Sequence, residues 1–390
     1  MRSMDRRLFA RPLSCLLTPA LAALLLSPPP GATAGEQPVP VDGEFTAAIV
    51  LDAASGEVLM AKNPHLRLPP ASMVKMMTEL LVLEKAAAGE LSLTDSVAVS
   101  GRASKMGGSQ VYLKDGERFT VEDLLRALAI HSANDAAAAL AEYVAGSTEA
   151  FVDLMNERAR ELKMTHTEFR SCHGLPPARD QQSDLTCAHD MALLCLALLA
   201  HPESTRMASQ AEAPFRGGVF TLHNPNPLVG KFPGLDGMKT GYTAKAGYCL
   251  TATARQKGGR LVSVVMGAPS IRARSAETSR LLTRGFAQYA TVKLVDSANK
   301  PLDAPVRVKG GATRDVVVAY GSPLSVLVLK NRVNKVVLET EVKEPLRAPL
   351  RAGDVVGRAV AKFDGTVLGE VPIVALESVA RGNIFQRLLH

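Results

Sequence analysis

The chain has 390 residues, 47% of them hydrophobic, and a formal net charge of +7, with an isoelectric point near 9.2. That length allows two domains with real cores. Lys and Arg are scattered and only 4% of residues are aromatic, so the basic–aromatic interleaving of a nucleic-acid surface is missing and no nucleic-acid partner is expected.

Arg2, Arg6, Arg7 and Arg11 form a basic start. An apolar run from Leu13 to Leu26 follows, then the break Pro28-Pro29-Pro30 and the small-x-small site Ala32-Thr33-Ala34. Residues 1–34 are read as a cleaved secretory signal, since the run is shorter than the roughly 20 residues an anchor needs. Cleavage takes away four Arg and one Asp and leaves +4. The mature chain is expected across the inner membrane, in the periplasm or envelope, where a mild positive balance suits an acidic wall polymer or an anionic lipid surface. Residues 35–43, polar and Pro-containing, are expected to be a flexible lead.

Phe45 to Asp52 alternates into a strand, Ala53-Ala54-Ser55-Gly56-Glu57 is a turn, and Val58 to Ala61 returns, an outer hairpin of an antiparallel sheet. Pro69-Pro70 then sets up a helix from Ser72 to Gly89 that is apolar almost all round and so should be buried. Residues 121–144 are helical with a corner at Ser132-Ala133-Asn134. Further helices are predicted over 148–162 and 185–200, the latter capped by Asp184 or Thr186. Lys239-Thr240-Gly241 is read as a turn before strands Gly247–Ala254 and Leu261–Met266, and 272–290 as helix. Strands, helices, strands and a helix in that order give an α+β domain over 44–290, an antiparallel sheet flanked by helices.

From Thr291 the chain breaks into short Val-rich runs punctuated by Gly, Pro and Asn, so 291–378 is expected to be a small all-β domain acting as spacer or docking module. Ile384 to His390 is read either as the first turns of a membrane-surface helix, giving a short amphipathic segment over 379–390, or as a frayed end.

Cys172, Cys187, Cys195 and Cys249 follow the signal; export allows disulfides, and sequence leaves three full pairings open. Cys172-His173 and Cys187-Ala188-His189 are tempting zinc ligands, but their spacing is not that of paired-cysteine sites, and no metal is assigned.

Three fragments carry chemistry: Ser72-Met73-Val74-Lys75, Ser132-Ala133-Asn134 and Lys239-Thr240-Gly241. Residues three apart on a helix share a face, so Lys75 stands within reach of the Ser72 hydroxyl. Serine needs a base, and lysine becomes one only when burial or a second cation such as Lys239 lowers its pKa. Ser132 can relay the proton. Asn134, donor and acceptor at once, can bind Lys75 and a substrate amide. Lys239 and Thr240 suit a carboxylate, and Gly241 lets a substrate backbone lie along the strand. The N–H groups of Ser72 and Tyr242 then make an oxyanion hole. No fragment is specific alone: Ser297-Ala298-Asn299-Lys300 also fits S-x-x-K.

These residues, with the longer stretches Leu68 to Thr78, Asn134-Asp135-Ala136, Gly234 to Thr243 and Ala246 to Leu250, resemble the low-molecular-mass penicillin-binding proteins that are D-alanyl-D-alanine carboxypeptidases. The resemblance is strong over about 44–290 and extends to the β domain in layout. It implies a transpeptidase-like α+β domain followed by a β-sandwich. It also implies attack by Ser72 on the carbonyl between the last two D-alanines of a peptidoglycan stem peptide, release of D-alanine, hydrolysis of the acyl-enzyme, and acylation of Ser72 by β-lactams, with no metal or other cofactor. Ala133 stands where many relatives have Gly, and Tyr242 where many have His.

A class A β-lactamase shares the three motifs but needs a carboxylate for its deacylating water, and Glu157, Glu161 and Glu168 lie in no E-x-x-L-N segment. An inactive cell-wall-binding homologue is the other alternative, and the complete constellation argues against it.

Overall fold

The computed structural model describes residues 38–383 except for 178, 180, 257 and 258. The expected signal at 1–34 and the last residues of the terminal segment, 384–390, lie outside the described residues.

The flexible lead expected over 35–43 is in part a strand: β1 (Val39–Pro40) runs parallel to Met60 and Ala61, and Val41 is buried. β2 (Ala47–Asp52) and β3 (Val58–Lys62) form the predicted hairpin. A 3₁₀ turn at Ala71–Val74 leads into α1 (Lys75–Ala87), whose first nine residues are all buried. The short ribbon of β4 (Ser96–Ala98) and β5 (Arg118–Thr120) follows. α2 (Val121–His131) is capped by Thr120, whose hydroxyl accepts from the Asp123 N–H at 3.0 Å. Ser132 ends it in a left-handed conformation, φ 65°, and α3 (Asn134–Ala145) leaves at a new angle. α4 (Thr148–Glu161) is capped by Ser147.

α5 (Ala188–Leu198) begins later than predicted, and neither Asp184 nor Thr186 caps it. Cys187 does, its sulfur accepting from the Asp190 N–H at 3.4 Å. Leu185 and Thr186 are held instead in bridges to Glu168 and Leu68, while Asp184 accepts from the N–H groups of Arg170 and Ser171. α6 (Pro202–Ala208) and the ribbon of β6 (Glu212–Phe215) and β7 (Phe220–His223) complete this layer.

β8 (Leu235–Thr243), β9 (Gly247–Gln256) and β10 (Gly259–Ala268) return to the sheet, and α7 (Ile271–Gln288) closes the domain. The sheet order is β1-β3-β2-β10-β9-β8, so β2 is interior and β8 ends the sheet. Successive side chains of a strand face opposite ways. Ala47, Ile49 and Leu51 accordingly join the core shared with α1, α2, α3 and α5, whereas Ala48 and Val50 join the one that holds Leu281, Leu282 and Phe286 of α7. The sheet is covered on both faces.

β11 (Tyr289–Val295) starts directly after α7. It pairs with β15 (Leu324–Leu329), and Tyr289 and Leu327 belong to the core on the α7 side of the main sheet. The rest is all β. β12 (Val306–Lys309), β13 (Asp315–Val316) and β17 (Leu346–Arg347) form one small sheet. β14 (Val318–Tyr320), β16 (Val337–Val342), β18 (Val355–Phe363) and β19 (Thr366–Ala375) form another. Their inward Val, Ile and Ala residues make a third core. The described part of the terminal segment is no helix: Val379 bridges Leu350, and Arg381 bridges Gly311. Among the described residues no helix is long and apolar enough to cross a membrane.

Candidate active site

Pro69-Pro70 turns the chain into the 3₁₀ segment that carries Ser72, which is therefore neither a helix cap nor inside α1 as predicted. In a 3₁₀ turn, side chains at i and i+3 eclipse, and the Lys75 ammonium stands 3.0 Å from the Ser72 hydroxyl oxygen. It also donates to the carbonyl of His173 at 2.7 Å. Lys75 is fully buried. Desolvation, then the charge of Lys239, hold its pKa well below the usual lysine value. Those conditions make a lysine a base.

Lys239-Thr240-Gly241 lies inside β8, not before a strand as predicted. Lys239 is buried, donates to the Thr240 carbonyl at 3.2 Å, and is pushed down to about 7 by desolvation. Gly241 sets the spacing of the site. A Cβ there would stand 2.5 Å from the Pro70 carbonyl oxygen and 3.2 Å from the Ser72 nitrogen. The strand can press on the turn that carries Ser72 only because this position has no side chain. Gly174, at φ 77°, presses on the same turn: its Cβ would fall 2.0 Å from the Ala71 carbonyl oxygen. Next to Gly241, Tyr242 is 54% exposed and stacks on Tyr248 at 4.2 Å between centroids.

Ser132 and Asn134 sit at the α2–α3 corner, both buried. Asn134 differs from expectation. Its amide donates to the Gly107 carbonyl at 2.7 Å, its Oδ1 is buried without a partner, and among the described residues no hydrogen bond joins Asn134 or Ser132 to Lys75. The corner is nonetheless close. Asp135, whose carboxylate accepts from the Val111, Leu113 and Ala136 N–H groups, acts electrostatically on Lys75. A Cβ on Gly108 would meet both Asn134 and Leu175, two residues beyond His173.

Three groups beside these residues were missed from sequence. The His173 carbonyl is a backbone group and leaves no signal in side-chain identity. Glu79, one turn beyond Lys75, is 1% exposed with one carboxylate oxygen unpartnered, and burial pushes it up to about 8. Arg274, near the start of α7, is 3% exposed; it donates to the Pro225 carbonyl at 3.3 Å, leaves its Nε without a partner, and its charge helps lower the Lys239 pKa. An arginine in an amphipathic helix gives no hint of facing inward.

The false motif at Ser297–Lys300 is a surface turn of the β domain, with Lys300 48% exposed and 3.6 Å from Asp296. Glu161 and Glu168 are occupied in ion pairs with Arg158 and with Arg67 and Arg170. The four cysteines after the signal are free and buried. The tempting cluster falls apart: Cys172 and His173 lie under Lys75 and Thr78, while Cys187 and His189 are at the start of α5.

The family profile described as D-alanyl-D-alanine carboxypeptidase matches residues 33–270, and that of the penicillin-binding protein 5 C-terminal domain matches 289–381. D-alanyl-D-alanine carboxypeptidase DacF of Bacillus subtilis is 37% identical over 94% of this chain and 95% of its own length. DacC of Escherichia coli is 38% identical over 92% and 90%. Among solved structures, penicillin binding protein 5 from Haemophilus influenzae covers 88% of this chain and 99% of its own, at 31% identity and TM-score 0.71. Penicillin-binding protein D2 from Listeria monocytogenes, in an ampicillin-bound form, covers 63% of this chain and 98% of its own, at 33% identity and TM-score 0.58.

Proposed function

From the premise that this chain belongs to the D-alanyl-D-alanine carboxypeptidase family, a serine-type peptidase that binds penicillin, we propose how its own residues divide the work. Ser72 is the nucleophile and Lys75 its base. The observation that carries this is the 3.0 Å contact between the Ser72 oxygen and a fully buried amine that desolvation drives toward its neutral form.

A stem peptide ending in D-Ala-D-Ala adds along β8, the last strand of the sheet, so that main-chain hydrogen bonds set its register. Lys239, Thr240 and Arg274 hold its terminal carboxylate, and the unpartnered Asn134 Oδ1 receives a substrate N–H. Ser72 attacks the scissile carbonyl while its proton moves to Lys75. The Ser72 and Tyr242 N–H groups stabilise the oxyanion, each worth about 3–4 kcal/mol in comparable sites. The proton passes through Ser132 to the departing D-alanine amine. Water, activated by Lys75, then resolves the ester. A β-lactam enters the same way and leaves Ser72 acylated.

The catalytic domain in this reading is 44–290, with 291–378 as a spacer that presents it to the wall. Export through residues 1–34 puts it in the periplasm or envelope. The test is release of D-alanine from a D-Ala-D-Ala-terminated peptide and trapping of a fluorescent penicillin. Both disappear in Ser72→Ala. Release that survives in that variant overturns the assignment.

A further inference from the structure

Away from this site, three stretches of chain bring metal-ligating side chains together. His65 lies in the loop after β3, His166 in the loop after α4, and Cys187 caps α5. Their ligand atoms all lie within 4.8 Å of one another. The His65 ring is 5.2 Å from that of His166 and 4.8 Å from that of His189, centroid to centroid. None of these residues belongs to the machinery assigned above.

The surroundings fit ligation. Buried Asp190 stands 3.4 Å from Nδ1 of His189 and accepts from the His166 backbone N–H at 2.8 Å and the Thr167 hydroxyl at 2.7 Å. A carboxylate behind an imidazole is the usual device for fixing a metal-binding ring, and here it stands behind His189 while holding the His166 backbone. Cys187 is buried at the N-terminus of α5, its sulfur accepting from the Asp190 backbone N–H.

We propose that His65, His166 and Cys187 bind one thiophilic divalent transition ion of the Zn²⁺ class, with the His189 imidazole or a water as fourth ligand. Around tetrahedral zinc, ligand atoms at about 2.0–2.3 Å from the ion stand roughly 3.3–3.7 Å apart. The cluster must therefore contract by about 1 Å, which rotation of exposed His65 and half-buried His166 supplies. The Cys187 thiol gives its proton to solvent as sulfur takes the metal. The ion is structural. It ties the Leu68–Thr186 and Glu168–Leu185 bridges together, beside the segment that enters the Ser72 turn and the root of the loop bearing His173.

The experiment is titration of Co²⁺ and Zn²⁺ into the full mature chain after removal of metal by chelator, followed by absorption spectroscopy and calorimetry. One saturable equivalent is expected, with a thiolate-to-cobalt charge-transfer band, proton release and a raised Tm. Losing an outer-shell partner costs 10- to 100-fold in affinity, so loss of a ligand in His65→Ala should cost at least about 100-fold. That variant should be labelled by penicillin as the wild type is. Cys187→Ser should lose the band. If its buried position prevents folding, His65→Ala, at an exposed site, decides. Absence of saturable binding, affinity unchanged in His65→Ala, or binding without the thiolate band overturns the proposed ligand set.

Discussion

At the scale of single residues, the amine beside Ser72 is the one whose chemistry can be tested most directly. Arginine keeps its charge at any working pH, so Lys75→Arg puts a permanent cation where the base stood. Acylation by a fluorescent penicillin should slow by about 10²- to 10⁴-fold, the usual weight of a general base. In the wild type, acylation should weaken as pH falls through the lowered pKa of Lys75, because only the neutral amine accepts the proton. Glu79 makes a different prediction. Its native carboxyl, at about 8, keeps a proton that the unfolded chain gives up near 4.5, so the fold loses stability as pH rises through that window, by up to about 1.4 kcal/mol per unit. Lys239, pushed down to about 7, acts in the opposite direction from about 7 to 10.5, where the unfolded chain holds the extra proton. Glu79→Gln should melt higher than wild type, with a margin that widens from about pH 5 to about pH 8. An equal margin at both would contradict the buried-acid account.

At the scale of elements, the sequence showed which segments matter better than it showed how they begin. The α2–α3 corner was legible because Ser and Asn favour helix breaks. The α1 core was legible because its apolar residues go all round. Lys239-Thr240-Gly241, taken alone, reads as a turn because Lys and Gly are poor strand formers; the turn in fact comes just after it, and the fragment pairs with Thr251, Leu250 and Cys249 across the hairpin that closes at Thr243 and Gly247. The start of α5 was misplaced because Asp184 and Thr186, good caps by type, were already committed to bridges and loop hydrogen bonds. The short ribbons β4–β5 and β6–β7 lack a repeating pattern long enough to see. Two variants test how these elements are joined. In Gly241→Ala the new methyl must push β8 off the turn carrying Ser72. Since a misplacement of about 1 Å costs on the order of 100-fold, kcat/KM should fall by that amount while the protein stays folded. Ser132→Gly should relax a left-handed position and stabilise the fold by up to about 1 kcal/mol in thermal melts, yet slow D-alanine release by removing the hydroxyl.

At the scale of the whole molecule, the β domain is joined to the catalytic sheet through a core, since Tyr289 and Leu327 pack with residues of β2, β9 and β10. The Listeria structure, which matches 63% of this chain, shows that the peptidase fold also exists at about that length. A chain ending at Gln288 should therefore still be acylated by penicillin, with a lower Tm because part of that core is uncovered; failure to acylate would give the β domain a part in the site. The position of β8 at the end of the sheet has a further consequence, for resistance. In the proposed mechanism, linear peptide and bicyclic antibiotic are received by the same strand and the same few backbone groups. A substitution that narrowed this opening against the drug would narrow it against the wall peptide as well. Escape through this enzyme would have to come from faster clearance of the drug ester from Ser72, not from exclusion at the door.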